Sequence, residues 1–374
     1  MRTLLLAIWL LMMPNTAITA DPVVFVSAFK TGDEGAIHAY RFDSATGKLQ
    51  LLRRTTDVSN PFFLAVSHDS RFLYSIDAEN FGGPDPGFVA AYRIEGRDGQ
   101  LTRLNRQSTR GTASCYLDVD ATGKTVVVAN YSTGSVAAFS VKDDGSLDEA
   151  AAFVQHTGSS VDLPRQKGPN AHCIVVSPDS RFALAADLGI DKVLIYRLSP
   201  DTATITANAA QPFAALPPGS GPRHLTFHPN GRRVYVINEL KNTVTFFDYG
   251  VDAGTLTARQ TISTLPPDFT DRTNTADLKI TPDGNFLYGT NRGHDSIANY
   301  RIADDGRLEL VGIEPSLGKG PQNLLITPDG RWLLCANMPG NSLVVFAINT
   351  NTGALTPTGD PVSIPMPSCI RWLK

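Results

Sequence analysis

The sequence is short of cysteine, and its four cysteines form no metal-binding pattern. Cys115, Cys173, Cys335 and Cys369 are spread over 374 residues, with no CxxC pair and no cluster of cysteine and histidine. A cysteine-based metal site is therefore not expected, and neither is an attached c-type haem. All four fall within predicted strands, so we expect buried free thiols rather than a disulfide framework.

An excess of charge of one sign is also missing. The 33 basic and 36 acidic residues leave a net charge of −3 at pH 7. This balance gives no electrostatic reason to expect nucleic acid or an acidic membrane as a partner, and we predict neither. No shift of composition divides the chain, which is long enough for one large core. We assume a monomer.

Long apolar runs are absent beyond the N-terminus. Residues 4–13 form one such run, with Arg2 before it and small residues after it up to Ala20. This pattern is typical of a secretory signal peptide, and the run is too short to span a bilayer comfortably. We predict a signal peptide over residues 1–20 and one domain over residues 21–374. The mature protein is then periplasmic or secreted, without a membrane anchor.

Helical periodicity is absent as well, and one strand pattern recurs in its place. Its copies are GAIHAYRF (35–42), GFVAAYRI (87–94), GSVAAFSV (134–141), DKVLIYRL (191–198), NTVTFFDY (242–249), DSIANYRI (295–302) and NSLVVFAI (341–348). Seven copies at a spacing of roughly 50 residues indicate the four-stranded blades of a β-propeller.

The two ends of the chain complete this ring. Six copies follow a hairpin with a polar turn, such as HPNGRRVYVIN at 228–238. Residues 23–28 match the second strand of a hairpin, and residues 367–373 match a first strand. We therefore predict an all-β, seven-bladed β-propeller in which the N-terminal strands and the C-terminal strand share one blade, so that no sheet edge is left open there.

Alignment of the hairpins places one residue of each innermost strand at a mouth of the central channel. These residues are Phe62, Cys115, His172, Arg223, Ala276, Gln322 and Ser368. The second strands reach the same mouth at Ala78, Tyr131, Leu188, Glu239, Arg292 and Met338. Antiparallel pairing sets Arg223 opposite Glu239, and His172 and Arg292 fall in the same sector. Inserts at 80–86, 158–168, 217–221 and 266–275 are predicted surface loops that could wall a pocket.

This group of side chains suits the hydrolysis of a cyclic ester. Guanidinium groups bind a carboxylate, a phosphate or a developing oxyanion, and either Glu239 or His172 could deprotonate a water molecule. The reverse reaction, lactone formation, needs the same groups. A structural reading stays open too, with Arg223 and Glu239 as a cross-strand ion pair and His172 as a core histidine.

Three stretches around these residues are similar to the seven-bladed propeller lactonase family, which includes propeller-type 6-phosphogluconolactonases and fungal carboxymuconate-lactonizing enzymes. They are RQKGPNAHCIVVSPD from Arg165, GPRHLTFHPNGRRVYVINEL from Gly221 and TADLKITPDGNFLYGTNRGHDSI from Thr275. The resemblance implies action on a small lactone without a metal or other cofactor, with four catalytic residues: His172, Arg223, Glu239 and Arg292. We expect five further residues at the substrate: His224, His294, Asn170, Gln322 and Asn323.

Two positions depart from the pattern expected of the family. Asn170 interrupts an expected PHAH, and Gln322 stands where many relatives have arginine. The loss of a cation and the export signal both argue for a non-phosphorylated sugar lactone.

Three alternative functions remain. They are a non-catalytic envelope propeller that binds a protein or glycan, a lactone-forming cyclase, and a calcium-dependent lactonase, for which the ring offers few carboxylates.

Overall fold

The computed structural model describes residues 22–373. Within this range the chain consists of β-strands and loops, with two single-turn 3-10 helices at Gly32–Glu34 and Pro200–Thr202. A search of the same range finds no helix with the length and apolar character needed to cross a membrane. The predicted signal peptide, residues 1–20, lies outside the described residues.

The strands form seven antiparallel sheets arranged as blades around a ring. Blade 1 begins with β1 (Val23–Ala28), β2 (Ala36–Phe42) and β3 (Leu49–Thr55). Blade 2 contains β4 (Leu64–Val66), β5 (Phe72–Asp77), β6 (Phe88–Glu95) and β7 (Gln100–Ser108). Blade 3 contains β8 (Ser114–Val119), β9 (Thr125–Asn130), β10 (Ser135–Val141) and β11 (Leu147–Gln155).

The other half of the ring repeats this order. Blade 4 contains β12 (Ala171–Val176), β13 (Phe182–Asp187), β14 (Lys192–Ser199), β15 (Thr204–Ala207) and β16 (Phe213–Ala215). Blade 5 contains β17 (Pro222–Phe227), β18 (Arg233–Asn238), β19 (Thr243–Gly250) and β20 (Thr255–Ser263). Blade 6 contains β21 (Asn274–Ile280), β22 (Phe286–Arg292), β23 (Ser296–Ile302) and β24 (Leu308–Pro315). Blade 7 contains β25 (Pro321–Ile326), β26 (Trp332–Asn337), β27 (Ser342–Ile348) and β28 (Leu355–Ser363).

The last strand, β29 (Pro367–Leu373), closes the ring as predicted. It pairs antiparallel with β1, with Arg371 opposite Phe25, and becomes the innermost strand of blade 1. The sheet order β29-β1-β2-β3 confirms that the two ends of the chain share one blade. The prediction of an all-β, seven-bladed propeller is thereby confirmed.

Blade 4 departs from the simple four-stranded pattern in its outermost strand. There the turn after β14 lacks the glycine found in the other blades, and Ala203 takes the left-handed conformation instead, with φ 48°. The outer position is then shared by two short strands, β15 and β16, which both pair with β14. A β-branched or bulky residue at such a φ would be strained, and alanine is among the smaller side chains available.

The blades lock together through the glycines of their outer turns. At Gly145, in the turn before β11, an added Cβ would lie 2.1 Å from the ring of Phe72 in blade 2. The Tyr74 hydroxyl donates to the Gly145 carbonyl at 3.1 Å. Gly254 meets Phe182 of blade 4 in the same way, at 2.4 Å. Glycine is needed at these turns because the neighbouring blade occupies the space of a side chain.

All four predicted inserts fall mainly in loops at one face of the ring, where the innermost strands begin and the second strands end. The four cysteines are buried and free, as predicted.

The interblade contact of Gly145 can be tested against a glycine in an open turn. Gly145→Ala combines a left-handed φ of 88° with a clash against Phe72, whereas Gly231 has φ 66° and no described atom within 4 Å of its Cβ position. We expect Gly145→Ala to lower the free energy of unfolding by about 2 kcal/mol more than Gly231→Ala. Urea denaturation of both variants measures the difference, and equal losses would show that the blade contact is unimportant.

Candidate active site

A β-bulge at the start of each innermost strand in blades 4 and 5 aims a side chain at the channel mouth. In blade 5, Pro222 pairs with Asn238 and His224 with Ile237, so Arg223 has no partner in the ladder. His172 is left unpaired in the same way. Bulges of this kind bend a strand and redirect side chains, often beside active sites. The prediction that antiparallel pairing sets Arg223 opposite Glu239 was therefore wrong. The two side chains meet because the bulge redirects Arg223.

The carboxylate of Glu239, just past the end of β18, contacts three guanidinium groups. Its Oε2 lies 3.0 Å from Arg223 Nε and 2.9 Å from Arg292 Nη2. Its Oε1 accepts a hydrogen bond from Arg165 Nη2 at 2.8 Å. The Arg223 contact is an ion pair without an aligned hydrogen bond, because that N–H does not point along the line to Oε2. The structure thus brings together the four predicted residues, with His172 Nε2 3.9 Å from Oε2.

Arg165 is the part of this cluster that the sequence reasoning missed. It lies in the loop at residues 158–168, just before β12, and also donates to the Tyr131 hydroxyl at 3.2 Å. The sequence did offer a signal for Arg165, because this arginine lies in an insert that leads directly into the PNAH segment at 169–172. With three guanidiniums around one carboxylate, two positive charges remain uncompensated.

The side chains of this cluster differ in exposure. Arg223 is 1% exposed and Glu239 5%, whereas Arg292 is 27% exposed and Arg165 30%. A ligand in the mouth therefore meets the guanidiniums of Arg292 and Arg165, while Arg223 lies behind them.

Electrostatics keeps Glu239 ionised. Burial alone would raise the pKa of this carboxyl, but Arg292, Arg223 and Arg165 outweigh it and hold the pKa below its ordinary value. Such a carboxylate is a weak base. For Arg223, burial and the nearby Arg292 lower the pKa to about 10, so the guanidinium remains a cation at neutral pH.

His172 is neutral at the same pH. Burial, followed by the charge of Arg223, lowers its pKa well below 6.5. Its Nδ1 lies 3.7 Å from the Cys115 sulfur, and its ring packs edge-on against Tyr131 at 5.1 Å between centroids. The imidazole thus sits in the ring with its Nε2 towards Glu239 and is free to accept a proton.

A second buried network supports the cluster from below, centred on Asp277. Its Oδ1 is 2.9 Å from His224 Nδ1, and its Oδ2 accepts bonds from Asn323 Nδ2 at 2.7 Å and Lys279 Nζ at 2.7 Å. His224 Nε2 in turn accepts from Arg223 Nη1 at 3.2 Å, which assigns the proton to Nδ1. Lys279 and His224 contribute to a pKa for Asp277 well below its usual range despite burial. Sequence alignment had pointed to the neighbouring Ala276 and missed this carboxylate.

The remaining residues predicted at the substrate occupy different surroundings. Gln322 Oε1 accepts from Arg292 Nη1 at 3.3 Å, which joins it to the cluster. Asn323 is fully buried, and its Oδ1 accepts from the Ile370 amide. Asn170 is half-buried and donates from Nδ2 to the Tyr131 carbonyl at 3.0 Å. His294 is half-buried against Phe269 of the 266–275 insert, at 4.5 Å between ring centroids.

Aromatic side chains meet across the channel beneath the cluster. Phe63 of blade 2 stacks on Tyr116 of blade 3 at 4.0 Å and reaches His224 of blade 5 at 5.9 Å. Blades 2 and 5 are not neighbours, so these rings meet across the channel. The Arg371 guanidinium covers the other side of Phe63 at 4.5 Å. Aromatic rings therefore lie beneath the cluster, and we call this mouth of the channel the cup.

Cavity size alone does not locate the site. A depression of about 620 Å³ lies between blades 2 and 3, at the face that carries the inner hairpin turns, and is lined by Ser67, Asp69, Lys124 and Asp143 among others. This face is opposite the mouth, and the depression contains none of the ring residues. We place the site by its charges and its broken symmetry instead.

Comparison with known proteins identifies the family of this chain. The family model described as "Lactonase, 7-bladed beta-propeller" matches residues 23–372. A 6-phosphogluconolactonase of Bacillus subtilis is 34% identical over 93% of this chain and 97% of its own length. The chain belongs to the seven-bladed β-propeller lactonase family. The family predicted from the three motif stretches is confirmed.

Two further relatives place this propeller lactonase in context. A 6-phosphogluconolactonase of Formosa agariphila is 32% identical over 89% of this chain and 94% of its own length. The crystal structure titled periplasmic gluconolactonase, PpgL, from Pseudomonas aeruginosa superposes with a TM-score of 0.87 at 32% identity, and covers 94% of this chain and 99% of that one. Within residues 22–373 of this family member, no group of three or more His, Cys, Asp or Glu side chains is arranged to hold a metal ion.

The buried histidines of this lactonase predict a loss of stability in mild acid. The pKa of His224 is lowered to about 3 and that of His38 to about 4, in both cases mainly by burial, and that of His172 is also lowered. Below pH 6.5 the unfolded chain therefore binds more protons than the folded one. We expect the free energy of unfolding to be constant above that pH and to fall, from pH 6.5 to 4.5, by about 1.4 kcal/mol per pH unit for each of His224 and His38.

Urea denaturation across this pH range measures the slope. His38→Phe removes a titrating group remote from the mouth and should make the slope shallower. A free energy of unfolding that stays constant between pH 6.5 and 4.5 would contradict the prediction.

Proposed function

We propose that this protein hydrolyses a sugar lactone in the cup formed by Glu239 and its three guanidinium groups. The observation that carries the proposal is the position of a neutral imidazole, His172, beside a carboxylate held by cations. Repeat symmetry requires none of these side chains at the mouth. Clusters of perturbed titratable groups in a concavity are typical of active sites.

We assign His172 as the base that activates water. Glu239 is engaged with three cations, whereas Nε2 of the neutral His172 makes no hydrogen bond within the described residues and can accept a proton. Nε2 and Glu239 Oε2 are 3.9 Å apart. A water molecule at about 2.8 Å from both atoms fits beside this gap. The carboxylate then orients the water, and the imidazole takes its proton as the oxygen attacks the lactone carbonyl. When the tetrahedral intermediate collapses, the ring C–O bond breaks and the imidazolium returns the proton to the leaving oxygen.

Arg292 is the residue placed to stabilise the resulting oxyanion. Its guanidinium is fixed by the Thr275 carbonyl at 3.0 Å and by Gln322, yet part of it faces the mouth. A prepositioned cation of this kind lowers the energy of a tetrahedral intermediate. Arg223 is buried and bonds the Ala276 carbonyl at 2.6 Å, so it acts by holding Glu239. Asn323 likewise supports the site through Asp277 without reaching the substrate.

Substitution of His172 tests this assignment. Because proton transfer by a positioned side chain contributes a factor on the order of 10² to 10⁴, we expect His172→Gln to lower kcat on glucono-δ-lactone by that factor with an unchanged melting temperature. His68→Gln serves as control, since His68 is exposed at the opposite face. Initial rates are read by acid release with the spontaneous rate subtracted.

Chelation tests the role given to the guanidiniums. If they supply the electrophilic assistance, treatment of the purified protein with EDTA leaves the rate unchanged.

A His172→Gln variant as active as the control would remove His172 from the mechanism. A folded wild-type protein that hydrolyses no lactone faster than water would instead favour the non-catalytic binding propeller.

We also propose export to the periplasm or beyond. The signal-like residues 1–20 support this, and the similar Pseudomonas aeruginosa protein carries "periplasmic" in its title. We expect the protein recovered from the periplasm of an expressing Gram-negative host to begin at Asp21, as read from its intact mass. A full-length protein confined to the cytoplasm would contradict the signal-peptide assignment.

A further inference from the structure

Arg165 is the guanidinium of the site that comes from a loop rather than from the propeller strands. Its Nη2 is engaged by Glu239 Oε1 and by the Tyr131 hydroxyl. Among residues 22–373, no hydrogen-bond partner is found for its Nε or Nη1, and the side chain is 30% exposed. The group is therefore held at one corner and has further donors available to a ligand.

The loop that carries Arg165, residues 158–168, is tightly fixed. The buried Gln166 donates to the Leu188 carbonyl at 2.8 Å and accepts from the Asp162 amide at 3.0 Å. Asp191 accepts from the Ser160 hydroxyl at 2.5 Å and also from the Gly221 amide at 2.7 Å, which ties the loop to the entry of β17. A guanidinium on such a loop is preorganised, so binding an anion costs it little side-chain entropy.

The charge of the cup also changes an expectation drawn from the sequence. Gln322 in place of an arginine suggested that the site is one cation short for a phosphorylated substrate. Arg165, from the loop at residues 158–168, supplies the cation that Gln322 does not. Two positive charges therefore stay uncompensated around Glu239. Arg292 already donates from both terminal nitrogens, to Gln322 and the Thr275 carbonyl, whereas Arg165 donates only from Nη2 and so has more donors left for a ligand.

We propose that Arg165 determines specificity by charge: it binds an anionic group, a phosphate or a carboxylate, on the lactone, so that the protein prefers anionic lactones to neutral ones. This inference rests on the proposed lactone hydrolysis. Guanidinium donors pair with either anion in a planar, two-point geometry, so the shared chemistry is that of an oxyanion. An exported enzyme would meet carboxylate-bearing sugar lactones more readily than sugar phosphates made in the cytoplasm.

Three lactones and three variants test the proposal. The substrates are neutral glucono-δ-lactone, 6-phosphoglucono-δ-lactone and a glucarolactone with a free carboxylate. The variants are Arg165→Gln, Arg165→Lys and Lys167→Gln, the last removing an exposed cation from the same loop. For wild type we expect the highest kcat/KM with one of the anionic lactones, and the one preferred identifies phosphate or carboxylate as the group recognised.

Arg165→Gln should lower the ratio of anionic to neutral kcat/KM by a factor on the order of 10 to 100, mainly through KM, as expected for loss of a charged hydrogen bond. Arg165→Lys should recover part of the ratio, and Lys167→Gln should leave it unchanged. An equal loss for neutral and anionic lactones would overturn the proposal and leave Arg165 as a support for Glu239.

The same measurements distinguish the role of Arg165 from the proposed lactone hydrolysis on which it rests. Wild-type hydrolysis of neutral lactone without preference for either anionic lactone would refute the role of Arg165 and keep the hydrolase. No hydrolysis of any of the three by a folded wild type would refute the hydrolase itself.

Discussion

The site depends on the burial of one carboxylate among three guanidinium groups. Removing charges from water costs several kcal/mol per ion, and ion pairs repay this only when their geometry is good. Glu239 meets that condition in part: Arg165 bonds its Oε1 at 2.8 Å, and Arg292 and Arg223 lie 2.9 and 3.0 Å from Oε2, the Arg223 contact without an aligned hydrogen bond. The cluster still carries more positive than negative charge, which is unfavourable for folding. We infer that this buried surplus of positive charge serves the binding of an anion or a developing oxyanion.

The propeller tolerates this cluster because its stability comes from elsewhere. Neighbouring blades are held together by buried apolar side chains and, at several turns, by a glycine that lets an aromatic ring approach the backbone, as Gly145 does with Phe72. These contacts lie towards the outer and lower parts of the blades, away from the mouth. The innermost strands are therefore free to carry bulges, and the bulges present His172 and Arg223 to the channel. Separation of packing from chemistry lets one repeat unit hold different residues in each blade.

Much of the fold could be read from the sequence, since seven copies of one strand pattern and two incomplete ends define a closed ring. The same repeat symmetry located His172, Arg223, Glu239 and Arg292, because a charged residue is conspicuous where other copies have small or apolar ones. Arg165 escaped this reasoning because a loop insertion has no equivalent in other blades. Asp277 escaped it because the alignment took one position from each innermost strand, which is Ala276 in blade 6, and the carboxylate lies at the next position, equivalent to His224.

The network around Asp277 shows why the upper and lower parts of the cup act as one unit. Asp277 fixes the tautomer of His224, whose Nε2 accepts from Arg223, which in turn holds Glu239. The same carboxylate binds Asn323 of blade 7 and so joins three blades in one chain of hydrogen bonds. Because every member is buried, loss of any one leaves another without a partner, at a cost of several kcal/mol. The position of Glu239 relative to His172 is thus set by residues from the whole sector, and the 3.9 Å gap between them is a property of the ring rather than of one hairpin.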